Sequence, residues 1–324
     1  MAVEFTDEGG RLGPPDGREY PRFMGPGTFA RLPEPRDVER WDVSIVGVPF
    51  DSGTSYRPGA RFGPQGIRAG SRLLRTYHAP LDLGPFAVLQ VVDAGDLAVS
   101  PYSIDTAIEQ IEAGANELLA RAPRIVSLGG DHTIALPLLR AVNRVHGPVA
   151  LVHFDAHLDT WDTYMSAPYT HGTPFRRASE EGLFVAGHSA HVGIRGSLYG
   201  RSDLAEDAGF GFEVIGAWEI EELGIRGVVE RVRERVGERP VYLSIDIDVL
   251  DPAYAPATGT PEVGGFSSRE LVGILRGFAD LDVVGADVVE VAPAYDHAEI
   301  TAIAAANVVY EILALMAARS GGER

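Results

Sequence analysis

Short runs of β-branched and apolar residues recur along the chain from Val43 onward. They include "VSIVGVPF", "RIVSLGG", "VALVHF", "VYLSI" and "VVGADVV". Because these runs show little alternation between apolar and polar positions, they are typical of parallel strands that are buried on both faces. The pattern therefore predicts a sheet made mostly of parallel strands.

The segments between these runs repeat their apolar residues at helical spacing. Ile104, Ile108 and Ile111 follow a predicted cap at Ser103, and Ser267 with Glu270 has the spacing of a capping box. Alternation of strands and helices predicts a three-layer α/β/α fold with the sheet in the middle.

The two ends of the chain differ from the middle. Residues 1–40 are rich in Pro and Gly and predict an irregular N-terminal arm, which leaves 41–324 as a single α/β domain. The C-terminal segment "EITAIAAANVVYEILALMAA" is apolar but contains Asn307 and Glu311. We expect it to form a packed core helix rather than a membrane span.

Composition and net charge exclude several kinds of binding partner and site. The chain has 324 residues, 45% of them hydrophobic, with a formal net charge of −18 and no Cys. The acidic balance argues against binding to nucleic acid or to an anionic membrane surface, and the lack of Cys excludes disulfides and thiolate ligands. No secretory signal pattern is seen at the N-terminus, so a cytoplasmic protein is expected.

Polar residues follow the predicted strands at their carboxyl ends, where α/β folds bind ligands. One such residue alone is usually a cap or a turn former, but several strands share the feature. The residues are Asp131, His132, Asp155, His157, Asp159, Asp246, Asp248 and Glu290. His153 lies inside the apolar run "VALVHF" and is predicted to be structural.

The spacing of the carboxylates indicates a metal site. "DAHLD" and "DID" use the two-residue period of a strand to place their carboxylates on one face. Clustered buried carboxylates repel one another unless cations compensate them. Two divalent ions balance the four charges of Asp155, Asp159, Asp246 and Asp248, with His132 and His157 as further ligands. Oxygen-rich ligation favours two Mn²⁺, a pair suited to hydrolysis.

The order of the motifs resembles the ureohydrolase family, which contains the arginases and agmatinases. The matching segments are "RPGARFGPQGIR", "DAGD", "GGDH", "DAHLD", "HGTPF", "SIDIDVLDPAYAPATGTPEVGG" and "EVAPAYD". The resemblance covers about residues 43 to 315. It implies a binuclear manganese centre, the hydrolysis of a guanidino group to an amine and urea, and assembly into trimers or hexamers.

The same resemblance implies a role for each site residue. One ion would be bound by His132, Asp155, Asp159 and Asp246, and the other by Asp155, His157, Asp246 and Asp248. Asp155 and Asp246 belong to both sets and would bridge the two ions. His171 would deliver or carry a proton, and Glu290 would orient the guanidinium group.

The substrate is suggested by the loop after Asp159. Arginases resemble one another in carrying an Asn where this chain has Trp161, so the residues that recognise an α-amino acid look absent. Trp161 and Tyr164 are expected to line a channel for the substrate tail. Agmatine is the first choice, and 4-guanidinobutyrate or a proclavaminate-type amidine is the alternative. A non-catalytic homologue with a regulatory role is a further alternative.

Overall fold

The computed structural model describes residues 10–321, and one parallel sheet runs through it. The strands are β1 (Val43–Gly47), β2 (Val91–Asp96), β3 (Arg124–Leu128), β4 (Ala150–Phe154), β5 (Ser189–Ile194), β6 (Phe212–Gly216), β7 (Pro240–Asp246) and β8 (Asp282–Val289). Their order across the sheet is β2-β1-β3-β8-β7-β4-β5-β6, and every pairing is parallel. The predicted α/β fold with a central, mostly parallel sheet is confirmed.

Helices cover both faces of this sheet. They are α1 (Gly63–Gly70), α2 (Pro85–Val88), α3 (Ile104–Leu119), α4 (Ala135–His146), α5 (Pro174–Glu180), α6 (Arg201–Gly209), α7 (Ile220–Val236), α8 (Ser268–Arg276) and α9 (Ile300–Gly321). The predicted caps form, since Ser103 accepts from the Thr106 backbone N–H and Ser267 makes a reciprocal capping box with Glu270.

Most strands contribute to two separate layers of apolar side chains. On β3, Ile125 packs in one layer and its neighbour Val126 packs in the other. This alternation is what a strand with helices on both sides requires, because successive side chains point to opposite faces. The uniform apolar runs of the sequence therefore correspond to burial on both faces.

The C-terminal helix α9 belongs to this core. Its segment Ile300–Ser320 is long and apolar enough to cross a membrane, but 78% of its most apolar stretch, which has a mean hydropathy of 1.8, is buried against the rest of the protein. It contacts β8 and α1 among other elements. The helix therefore packs as a core element, as the sequence predicts.

The part of the N-terminal arm that the structure describes is held against the sheet. Residues 10–40 contain one short 3-10 helix, Phe29–Arg31. The Phe29 side chain is buried, and its backbone N–H donates to Asp93 on β2. The Arg31 guanidinium donates to the carbonyl of Pro15 at 3.1 Å, which fastens the earlier part of the arm.

Candidate active site

Four adjacent strands carry the candidate site at their carboxyl ends. In the order β3-β8-β7-β4, these strands lie side by side at the middle of the sheet. Chain segments that are far apart in sequence therefore meet at one edge. His132 follows β3, Glu290 follows β8, Asp246 ends β7 and Asp155 follows β4.

One group of side chains surrounds the imidazole of His132. Its Nδ1 lies 2.9 Å from Asp159 Oδ2, 3.2 Å from Asp155 Oδ2 and 3.5 Å from Asp246 Oδ2. His132 and Asp155 are fully buried. A ring nitrogen facing three carboxylate oxygens is the donor set of a cation site.

A second group adjoins the first through Asp155. His157 Nδ1 lies 3.2 Å from Asp248 Oδ2 and 3.3 Å from Asp155 Oδ1. The two oxygens of Asp155 thus face the two different histidines. The structure brings all six predicted metal ligands together, in two groups that share this carboxylate.

The hydrogen bonds behind His132 fix which of its ring nitrogens is free. Ser244 Oγ donates to Asp287 Oδ1 at 2.7 Å, so it accepts from His132 Nε2, which is 2.8 Å away. The proton therefore lies on Nε2, and Nδ1 keeps its lone pair toward the carboxylates. Nδ1 is buried and has no hydrogen-bond partner among the described residues, as expected of a nitrogen that binds a metal ion.

The electrostatics of the cluster also favour cations. Burial and the neighbouring carboxylates raise the pKa of Asp246 well above its ordinary value, and burial together with Asp155 raises the pKa of Asp248 to about 6. Both shifts express the cost of holding several negative charges in a buried place. Divalent ions remove that cost, so the residues present fit a metal centre.

His153 lies close enough to the first group to be considered a ligand, but both of its nitrogens are engaged. Nε2 is 2.8 Å from Asp155 Oδ2, and Nδ1 is 2.7 Å from Nδ1 of His191. Burial lowers the pKa of His153 to about 3, which keeps the ring neutral. The structure therefore places His153 behind Asp155, in keeping with the structural role that the sequence predicts.

One carboxylate oxygen of Glu290 contacts hydrogen-bond donors of the protein, and the other has no partner among the described residues. Oε1 accepts from the His132 backbone N–H at 3.0 Å and lies 2.9 Å from His171 Nδ1. Oε2 is buried without a hydrogen-bond partner in the part of the chain that the structure describes. An unpaired buried carboxylate oxygen is costly, so it indicates the position of a cationic donor from a ligand.

His171 lies between two environments that favour different protonation states. Burial opposes a charged ring, but the Glu290 carboxylate raises the pKa of His171 to about 9. At the other nitrogen, the Ser55 backbone N–H donates to Nε2 at 3.1 Å, with Ser55 Oγ at 2.7 Å. That contact favours the neutral ring. Such a balance suits a residue that gains and releases a proton.

Trp161 and Tyr164 lie on the loop beside His171. The Trp161 backbone N–H donates to the carbonyl of Gly172 at 3.1 Å, and its ring packs 5.6 Å from that of Tyr199. A Cβ on Gly172 would lie 2.9 Å from the indole ring, so Gly at this position permits the packing. The indole Nε1 is buried and has no partner within residues 10–321. Tyr164 is 6.5 Å from Trp161, ring to ring.

Some residues of the site were not predicted from the sequence. Ser244 precedes Asp246 by two positions, so the strand period already places it on the ligand face. Asp287 lies on β8, opposite Ser244 in the sheet register. No local pattern indicates Ser55, because its contact with His171 joins positions 116 apart.

A family model described as "Arginase family" matches residues 41–315. The chain belongs to the arginase family. It is 48% identical to "Putative agmatinase 1" of Schizosaccharomyces pombe, over 91% of this chain and 83% of that protein. It is 43% identical to guanidinobutyrase of Pseudomonas aeruginosa, over 94% of this chain and 96% of that one.

A solved structure agrees with the fold. Proclavaminate amidinohydrolase from Streptomyces clavuligerus superposes with a TM-score of 0.89 at 44% identity, covering 93% of this chain and 100% of that chain. The predicted resemblance to ureohydrolases is therefore confirmed. The protein is an enzyme of the ureohydrolase class, similar to agmatinases, and it carries the clusters of His and Asp that could hold metal ions.

Proposed function

We propose that this enzyme binds two Mn²⁺ ions and hydrolyses agmatine to putrescine and urea. The observation that carries the proposal is Glu290 Oε2, a buried carboxylate oxygen that no described residue pairs, next to the His and Asp clusters. A guanidinium group offers several N–H donors in one plane, and carboxylates bind it through charge-assisted hydrogen bonds.

The ligand positions of the family indicate which residues would hold each ion. His132, Asp155, Asp159 and Asp246 would hold one, and Asp155, His157, Asp246 and Asp248 the other. The arrangement of Asp155, with one oxygen toward each histidine, supports a bridging role. When bound, such a pair of ions activates water and stabilises negative charge.

The protein side chains supply binding and proton transfer. Glu290 Oε2 orients the guanidinium group, and Oε1 holds His171 at 2.9 Å. Because the departing nitrogen must be protonated before it leaves as an amine, a proton donor is needed close to the substrate. His171 fits this role, since it contacts the same carboxylate that would bind the guanidinium group.

A partly exposed acidic side chain beside the metal cluster favours a substrate with a cationic tail. Glu262, with 37% of its side chain exposed, lies 3.6 Å from Nε2 of His157. The chain as a whole carries a net charge of −18. Agmatine has a positive charge at each end, which these groups would attract.

A second candidate substrate is 4-guanidinobutyrate, favoured by Trp161. Its buried indole N–H lacks an acceptor among the described residues, and a carboxylate tail supplies one, whereas the ammonium group of agmatine does not. The deciding experiment compares urea release from agmatine, 4-guanidinobutyrate, arginine and guanidine by the Mn²⁺-loaded enzyme. A higher kcat/KM for agmatine supports the proposal. Preference for the acid selects the second candidate, and no urea from any of them refutes both.

A further inference from the structure

A chain of buried polar side chains continues from the metal cluster into the protein. His153 Nε2 donates to Asp155 Oδ2 at 2.8 Å, and its Nδ1 lies 2.7 Å from Nδ1 of His191. His191 Nε2 in turn lies 3.2 Å from Asp207 Oδ1, a close polar contact without the geometry of a hydrogen bond. The same oxygen accepts from Thr160 Oγ1 at 2.8 Å. These four residues, His153, His191, Asp207 and Thr160, are called the histidine chain below.

The direction of the hydrogen bonds follows from the acceptor at one end. An ionised Asp155 only accepts, so the proton of His153 lies on Nε2. His153 Nδ1 then accepts, and the proton between the two rings belongs to His191 Nδ1. Both ring nitrogens of His153 are then hydrogen-bonded, which fixes the orientation of the ring. The ring in turn fixes the orientation of the Asp155 carboxylate.

The histidine chain is closed by Asp207, which comes from a different part of the fold. Asp207 lies on α6, a mostly exposed helix, yet its side chain is fully buried. One of its contacts leads through His191 to Asp155, and the other holds Thr160, the residue that follows Asp159. Asp207 therefore contacts the loop after β4 by two routes, one leading to Asp155 and the other to Thr160 beside Asp159.

Aromatic rings enclose this arrangement. Phe175 lies 4.4 Å from the His153 ring and Phe212 lies 4.4 Å from the His191 ring, centroid to centroid. Buried polar groups in such surroundings cost free energy unless they are paired, and His191 Nε2 and Asp207 Oδ2 have no hydrogen-bond partner among the described residues. Apolar residues would fill this space at lower cost, so the pattern of contacts indicates a role beyond packing.

We propose that Asp207 is a positioning residue for the metal centre, acting on Asp155 through His191 and His153 and on the Asp159 segment through Thr160. The proposal rests on the metal site of the proposed function. It adds that a side chain on α6, which touches neither ion nor substrate, sets the affinity of the ligand cluster for metal.

The test measures Mn²⁺ binding and not urea release. Full-length protein is stripped with a chelator and titrated with Mn²⁺, with the free ion followed by electron paramagnetic resonance. Removing an outer partner of a metal ligand usually costs about 10- to 100-fold in affinity, and we expect that loss for Asp207→Ala. Thr160→Val keeps the shape of the side chain and removes only the hydrogen bond between Thr160 and Asp207. A smaller loss of Mn²⁺ affinity is therefore expected.

Two further variants separate positioning from general damage. Asp207→Asn keeps an oxygen for Thr160 and should bind Mn²⁺ more tightly than Asp207→Ala. Glu311→Gln alters a comparable buried contact, 2.8 Å from His78 and remote from the cluster, and should lower thermal stability while leaving Mn²⁺ affinity unchanged.

The outcomes are distinct. Wild-type Mn²⁺ affinity in folded Asp207→Ala, or an equal loss in Glu311→Gln, overturns the proposal. If Asp207→Ala does not fold, Thr160→Val decides, and unchanged affinity there also overturns it. Should wild-type protein bind two Mn²⁺ tightly but release no urea, the proposed function fails and the positioning role stands.

Discussion

Replacing Glu290 by Gln removes one negative charge and leaves the shape of the side chain almost unchanged. In the wild-type protein Oε1 faces two protein donors, the His132 backbone N–H and the His171 ring. The single oxygen of Gln would stay at that position, because the alternative places its NH₂ against both donors. The NH₂ group would then occupy the position of Oε2 and face the N–H groups of the guanidinium.

The size of the effect follows from the hydrogen bonds that the NH₂ group cannot accept. A hydrogen bond to a charged group contributes about 1.5–3 kcal/mol, and a guanidinium can donate two to the Oε2 side. The loss is therefore about 3–6 kcal/mol of transition-state binding. At about 1.4 kcal/mol per factor of ten, kcat/KM should fall about 10²- to 10⁴-fold.

The assay is urea release from agmatine, with bound Mn²⁺ measured in the same samples. Metal content should remain at the wild-type level, since Glu290 is not among the proposed ligands. Glu311→Gln is the matched control, because it neutralises another buried carboxylate outside the site. If Glu290→Gln retained kcat/KM within threefold of wild type, the guanidinium-binding role of Oε2 would be wrong.

Three other substitutions test separate parts of the site. Asp155→Asn should lower bound Mn²⁺ and abolish urea release, because it weakens both ligand groups, and wild-type metal content would exclude the bridging role. His171→Ala should keep its metal and lose about 10²- to 10⁴-fold in kcat, the usual contribution of a proton donor; an unchanged kcat would exclude the assignment. Trp161→Phe removes the indole N–H and keeps a smaller aromatic ring, so it should raise KM for 4-guanidinobutyrate more than for agmatine. Equal changes for both substrates would indicate packing alone.

Position at the carboxyl end of a strand explains why much of the ligand set could be predicted. "DAHLD" directly follows an apolar run and "DID" ends one, but the predicted strand period does not extend through them, because β4 ends at Phe154 and Asp248 lies in the 3-10 helix Ile247–Val249. In the parallel sheet, β4 and β7 are neighbouring strands. The strand ends and the sheet topology thus agree on the position of Asp155, Asp246 and Asp248.

Contacts between distant segments could not be predicted in the same way. The hydrogen bond from Thr160 to Asp207 joins residues 47 apart, and the contact between Ser55 and His171 spans 116 positions. α6 has a polar sequence that is typical of an exposed helix, so nothing local distinguishes Asp207 from its solvated neighbours. Burial of that one carboxylate depends on how the helix lies against β5 and β6.

Backbone strain identifies the same location as the clustered charges. Asp159 and Glu290 both adopt the left-handed region, with φ of 56° and 63°, which costs about 1–3 kcal/mol for each residue other than Gly. Both side chains are directed toward His132, one at Nδ1 and the other at the backbone N–H. An ion present at about 100 times its dissociation constant would stabilise the fold by about 2.7 kcal/mol. Since this is comparable to the strain, metal binding would offset much of the cost of the geometry that the site requires.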